Sequence, residues 1–170
     1  LEIIGADSTT FQDVVLTNAL DARLDVGTGT LEIIGADSTV DNQGTARVDA
    51  GSSLEVRAGA TLANFNGGTN TLAGGSFDVA GTLRFDGAVI ERLEADLILD
   101  GAGASVRDSA NGDADALGGV LDIDAGGALT LRDTHAFTAG GGVSVGGAGV
   151  RRLGGATTFV GPGGVALAGL

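Results

Sequence analysis

Three-residue runs with apolar ends and a polar centre recur along the whole chain. Leu24-Asp25-Val26, Leu31-Glu32-Ile33, Leu54-Glu55-Val56, Phe77-Asp78-Val79, Leu83-Arg84-Phe85, Leu121-Asp122-Ile123, Leu129-Thr130-Leu131 and Val143-Ser144-Val145 are instances. Alternation at period two is the signature of a short strand that buries its first and third side chains and turns the middle one to solvent. No segment sustains a helical period. Gly, Asp, Asn and Ala-Gly fill the gaps, and these residues supply corners that need positive φ.

The runs fall into three ladders with steps of about 22 residues. One ladder starts at Leu31, Leu54, Phe77, Leu97, Leu121, Val143 and Val165, and a second at Val40, Leu62, Leu83, Val106, Leu129 and Val150. A third, less regular, runs through Leu1, Leu24, Ala46, Leu72, Val89, Leu117, Phe137 and Phe159. Three strands per repeat predict three faces, hence an all-β, triangular, parallel β-helix (a β-solenoid) of about seven to eight coils over residues 1–170. Right-handed winding is expected from the general preference of parallel crossovers. Residues 1–30 fit less well. Leu1 to Thr9 (LEIIGADST) recurs identically at Leu31 to Thr39, an offset of 30. Either the same words occupy neighbouring faces, or the first coil carries an insertion around Thr10 to Leu20.

Composition narrows the class of function. The apolar residues make up 43% of the chain and are almost all Ala, Val, Leu and Ile, which suits a narrow repetitive interior and argues against disorder. All nine basic residues are Arg, the net charge is −13, and no basic tract occurs, so nucleic acid is not an expected partner. Cys is absent, which excludes disulfide staples and thiolate metal sites. No apolar run approaches the roughly 18 residues of a membrane span. The chain opens on Leu1-Glu2-Ile3 with neither Met nor a leader pattern, so a segment excised from a longer repeat protein is expected.

From Asn64 onward the wording becomes specific. The run from Gly67 to Leu83 (GGTNTLAGGSFDVAGTL), with Phe85-Asp86-Gly87-Ala88-Val89-Ile90, Leu99-Asp100-Gly101-Ala102-Gly103-Ala104 and Leu129-Thr130-Leu131, resembles the repeats of giant bacterial exoproteins of the filamentous-haemagglutinin and autotransporter adhesin type. The resemblance covers roughly residues 60–170. It implies a β-helix, secretion, and a place at the cell surface or in the extracellular matrix. It carries over no catalytic residue, because such repeats form shafts that bear variable tips.

Three groups of residues stand out as candidate sites. In the first ladder the outward positions Glu32, Glu55 and Asp78 would form an acidic column at one-strand spacing. Like charges that close need splaying, screening or a cation. The column is read first as a solvated face that keeps the chain soluble, and second as a weak Ca²⁺ site. In the second ladder Arg84, Arg107 and Arg151 face outward. They either pair with nearby acids such as Asp86, Asp108 and Asp133, or form a basic stripe for an anionic glycan or a neighbouring copy. Third, Asp108, Asn111, Asp113 and Asp115 crowd a Gly-bearing turn that resembles a calcium loop only superficially, and a plain corner is favoured. No cofactor is otherwise expected. The single His135 reads as an exposed corner residue. Asn64, Asn66 and Asn70 are candidates for an internal Asn ladder. Thr28, Thr30, Thr69 and Thr71 lack the regular array that an ice-binding face requires.

The leading expectation is therefore a structural or adhesive shaft at the bacterial cell surface, associating with itself end to end or laterally, or with a host or cell surface. A glycan-binding module is the alternative; exposed Tyr and Trp, the usual sugar platforms, are missing altogether. A polysaccharide-active enzyme is disfavoured. Its acids and bases would have to converge from adjacent coils beneath long loops, whereas the corners here are short and Gly-rich and Lys is absent.

Overall fold

The computed structural model describes residues 1–3, 7–119 and 121–132 in full, and beyond them the backbone of five short strands. The chain is all-β, and nearly every strand pairing is parallel. Among the described residues the only helical turn is a 3₁₀ segment at Ser109–Asn111.

Over its first third the chain visits three sheets in strict rotation. Glu2–Ile3, Arg23–Val26 and Thr45–Val48 lie in sheet A. Ser8–Gln12, Thr30–Ile34 and Ser53–Val56 lie in sheet B. Val15–Asn18, Thr39–Asn42 and Thr61–Leu62 lie in sheet C. Sheet A continues through Thr71–Val79 and Arg92–Asp100. These strands are long enough that Arg92–Asp100 pairs with both Leu121–Ile123 and Ala128–Arg132. Sheet B continues through Thr82–Phe85 and Ser105–Asp108.

The alternation read from the sequence decides what is buried. Leu24 and Val26 stack beside Ala46 and Val48, then Phe77 and Val79, then Leu97 and Leu99, then Leu129 and Leu131. In sheet B the inward pairs are Leu31 and Ile33, Leu54 and Val56, and Leu83 and Phe85, followed by Val106. All of these are buried and belong to one cluster, so the three sheets share a single core. Mostly aliphatic side chains, with Phe77 beside the small Ala46 and Phe85 beside Val56, stack one layer above another in this core.

The ladders differ from the expected ones in their later rungs. The neighbour of Leu54 is Leu83, not Phe77, and Phe77 continues the line of Leu24 and Ala46. Val40 and Leu62 pair with each other in sheet C, apart from Leu83 and Val106. The cause is two excursions that break the constant step. Phe65–Asn66 folds back antiparallel on Thr71 and Leu72, and Ala114–Asp115 folds back on Arg107 and Asp108. The sheet-B step, 23 residues from Leu31 to Leu54, consequently widens to 29 from Leu54 to Leu83. The repeated nonapeptide resolves in favour of neighbouring faces. Glu2 pairs in sheet A while its copy Glu32 pairs in sheet B, and Ser8–Thr9 lies in sheet B while Thr39 lies in sheet C.

Candidate functional site: the outer face of sheet B and the adjoining groove

Outward positions on sheet B run Thr10, Glu32, Glu55, Arg84, Arg107 in register. Glu32 and Glu55 are neighbours, as the sequence predicts, but the third member of the column is Arg84. Asp78 lies on sheet A between Arg47 and Ile98. The acidic column of Glu32, Glu55 and Asp78 therefore does not form. What forms is a charge-compensated strip. Arg57 contacts Glu32 and donates to Glu55 at 3.0 Å, and Arg84 donates to Glu55 at 2.9 Å. Thr10 Oγ1 donates to Glu32 at 2.9 Å and Ser53 Oγ to Glu55 at 3.1 Å. The two carboxylates at one-strand spacing are paired with the guanidinium groups of Arg57 and Arg84.

Arg84 also lies 3.0 Å from Asp113, which the second excursion brings over the sheet. Its acid partners are thus Glu55 and Asp113, whereas Asp86 and Asp108 are occupied elsewhere. Asp86 accepts from Ser109 Oγ at 2.6 Å, and Asp108 accepts from the amides of Gly87 and Ala110 at 2.8 and 3.0 Å. Asp133 lies outside the described residues. Arg107 is the next rung after Arg84, and among the described residues it has no ion-pair partner. Arg151 sits opposite Leu129 in sheet A, so it is not on the strip of Arg84 and Arg107. The stripe of three arginines is reduced to one adjacent pair, because the strand carrying Arg151 belongs to another sheet.

The turn around Asp108 is organised by capping. Asp108 is buried and N-caps the 3₁₀ segment, Gly112 closes it in the left-handed region, and Asp113 follows at φ 60°. Asp115 accepts from the amide of Leu117 at 3.0 Å. Asn111 is exposed at the loop tip. Three of the four oxygen-bearing residues thus serve backbone amides or Arg84. Among the described residues no group of three or more His, Cys, Asp or Glu is placed to hold a metal ion. His135 is not among the described residues.

An Asn ladder is present, with different members. Asn18 and Asn42 end the first two strands of sheet C, Asn64 follows the third, Thr61–Leu62, by two residues, and all three are buried. Asn18 Nδ2 donates to Asn42 Oδ1 at 2.7 Å, and Asn64 Oδ1 accepts from the Asn42 amide at 2.8 Å. Asn66 and Asn70 stand outside it, Asn66 turning back to the Gly68 amide and Asn70 donating to Glu91. The sequence signal was there: Val-Leu-Thr-Asn, Thr-Val-Asp-Asn and Thr-Leu-Ala-Asn end at Asn18, Asn42 and Asn64.

The first excursion creates a feature that the sequence reading missed. The hairpin from Phe65 to Leu72 stands beside the last strand of sheet C, with Phe65 packed on Phe85 at a ring separation of 5.0 Å. Between the hairpin and the neighbouring strands lies an open groove of about 610 Å³, whose polar lining includes Asp41, Gln43, Asn66, Thr71, Arg92 and Glu94. These residues come from four separate segments, and only the pairing pattern shows that they meet.

Arg84→Ser should leave the buried Glu55 carboxylate with Arg57 and the Ser53 hydroxyl only, one charged partner fewer. A stability loss of about 2 kcal/mol is expected in urea unfolding, larger than for an exposed pair such as Arg23–Asp25. Among the described residues no helix is long and apolar enough to cross a membrane. Compared with family models, curated proteins and solved structures, the chain finds no match in any of the three.

Proposed function

We propose that this chain is a length of right-handed parallel β-solenoid and serves as the structural shaft of a secreted or cell-surface bacterial adhesin or fibre, without catalytic activity of its own. The observation that carries the reading is the rotation A–B–C, repeated three times with residues 22 to 24 positions apart in parallel register. Such a chain gains each repeat by adding one more layer to a common core, so its length is free to vary while its cross-section is not. About seven to eight layers at about 4.8 Å would give a rod of roughly 35 Å. The outer faces support the same role. On sheet B unlike charges alternate with hydroxyls in short, mutually satisfied contacts, which gives a soluble, stiff wall. Export to the surface, as the sequence resemblance implies, is the natural setting for a rod of this composition.

A shaft tolerates a change in length. Deleting residues 31–53 removes one strand from each of the three sheets and places Leu54 where Leu31 stood, Leu62 where Val40 stood, and Phe77 where Ala46 stood, so that every remaining strand keeps its sheet. The shortened chain is expected to keep its β-type circular dichroism and a cooperative urea transition, with stability lower by of order 1–2 kcal/mol. Collapse of the fold on this deletion would overturn the repeat architecture. Turnover of polyuronates or neutral polysaccharides by the intact chain would overturn the non-catalytic role.

A further inference from the structure

We infer that the groove beside the Phe65–Leu72 hairpin is a binding site for a short neutral oligosaccharide. The inference goes beyond the shaft reading and does not depend on it. In repeat architectures per-repeat insertions map to loops on one face, often the binding face. Here the insertion borders the groove of about 610 Å³, within the size range of small-molecule sites.

The chemistry of the lining selects the ligand class. Hydrogen-bonding groups of both senses converge: the carboxylates of Asp41 and Glu94 accept, the Arg92 guanidinium donates, and the amides of Gln43 and Asn66 can do either. Several are already fixed by neighbours. Gln43 Nε2 donates to Asp41 Oδ2 at 2.7 Å, Arg92 donates to Asp124 at 2.6 Å, and Asn66 Oδ1 accepts from the Gly68 amide at 2.9 Å. Glu94 has no hydrogen-bond partner among the described residues and projects as an exposed residue at the rim. The lining also takes in Asn42 and Asn64, which bond to each other, with Ala63, Ala73, Gly74 and Gly75; Gly75 is packed against the Asn42 carbonyl, where a Cβ would have no room. A ligand rich in hydroxyls, each both donor and acceptor, matches such a wall. Two carboxylates against one guanidinium, in a chain of net charge −13, disfavour uronic or sulfated sugars.

The test uses the 170-residue chain with maltotriose, cellotriose and chitotriose as probes and trigalacturonate as the anionic comparison. Saturation-transfer NMR is expected to show at least one neutral trisaccharide bound with a dissociation constant in the millimolar range. The double variant Gln43→Ala/Glu94→Ala, altering exposed side chains only, is expected to weaken it at least tenfold while leaving the amide spectrum in place. Arg107→Ser, on sheet B away from the groove, should change nothing. No signal from any neutral trisaccharide, equal binding by the double variant, or tighter binding of trigalacturonate would each overturn the assignment. The shaft reading is decided separately, by the repeat deletion.

Discussion

Gly81→Val is expected to remove a large share of the fold's stability, although Gly81 lies on a corner and carries no side chain. A Cβ at this position would stand 2.2 Å from the Ser52 carbonyl oxygen and 2.4 Å from that of Asp49, distances no real side chain tolerates. Both oxygens are in use. Ser52 O accepts from the Thr82 amide at 2.9 Å, and Asp49 O accepts from the Ser52 amide at 3.0 Å. Neither can swing away without losing the turn that ends one repeat or the bond that seats the next. Relief by lifting residue 81 would draw Leu83 off Leu54 and Phe85 off Val56, opening the core along sheet B. A loss of about 4 kcal/mol or more is expected, a large share of the 5–15 kcal/mol that holds a typical domain. Gly51→Ala is the matched comparison: its φ is +79°, but an added Cβ meets nothing within 4 Å. That change should cost only about 1–2 kcal/mol, the strain of the left-handed region alone. Urea midpoints for the two variants separate close approach from backbone strain; equal losses would show that the packing of repeat on repeat is not the limiting factor.

This contrast also shows where the sequence was legible. Triplet alternation gave the strands, their buried pairs and the parallel stacking, because burial on one face enforces period two locally. Register between distant repeats is a non-local property, and a constant step carried past Asn64 or Arg107 assigns residues to the wrong sheet. For that reason Arg84 stands where Asp78 was expected, beside Glu55, and Asp78 lies on sheet A beside Arg47. The two hairpins themselves carry weak signals. Asn64-Phe65-Asn66 reads as a loop, and the stretch from Asp108 to Asp115 reads first as a plain corner, with which the backbone-amide bonds of Asp108 and Asp115 agree. Corner glycines were expected to serve positive φ, which holds at Gly51 and Gly87, where an added Cβ meets nothing within 4 Å. At Gly44, Gly81 and Gly127, by contrast, it is the carbonyl of an adjacent repeat that excludes a side chain, and nothing local in the sequence distinguishes the two cases. The groove was illegible because Asp41, Asn66 and Glu94 meet only through the pairing of their strands.

Asn42→Leu is expected to be the most damaging polar-to-apolar change of similar volume in the chain. Asn42 is 1% exposed and its side chain makes two bonds, accepting from Asn18 Nδ2 and donating to Ser76 O at 2.9 Å. The second bond runs from the end of a sheet-C strand to a sheet-A strand. Asn18 reaches Thr45 O in the same way, at 3.0 Å, and Asn64 reaches Ala73 O at 2.9 Å. Each Asn therefore fastens the C-to-A corner of its own repeat to backbone further along the chain, and removing the middle one breaks the series in both directions. Leu would leave Ser76 O without that donor and Asn18 Nδ2 with a single acceptor. At about 1–3 kcal/mol per stranded group, the total is expected near 2–5 kcal/mol. Asn66→Ala, at an exposed turn, should cost under about 0.5 kcal/mol. If the three residues act as one unit, Asn18→Leu/Asn42→Leu will cost clearly less than the sum of the single changes, since the first substitution already breaks the bond they share. Additive losses in that cycle would mean that each Asn only caps its own corner. Native-state hydrogen exchange should then separate the two cases by position, with Asn42→Leu lowering protection at Thr45 and Thr61 together in the linked ladder and near its own corner alone in the other.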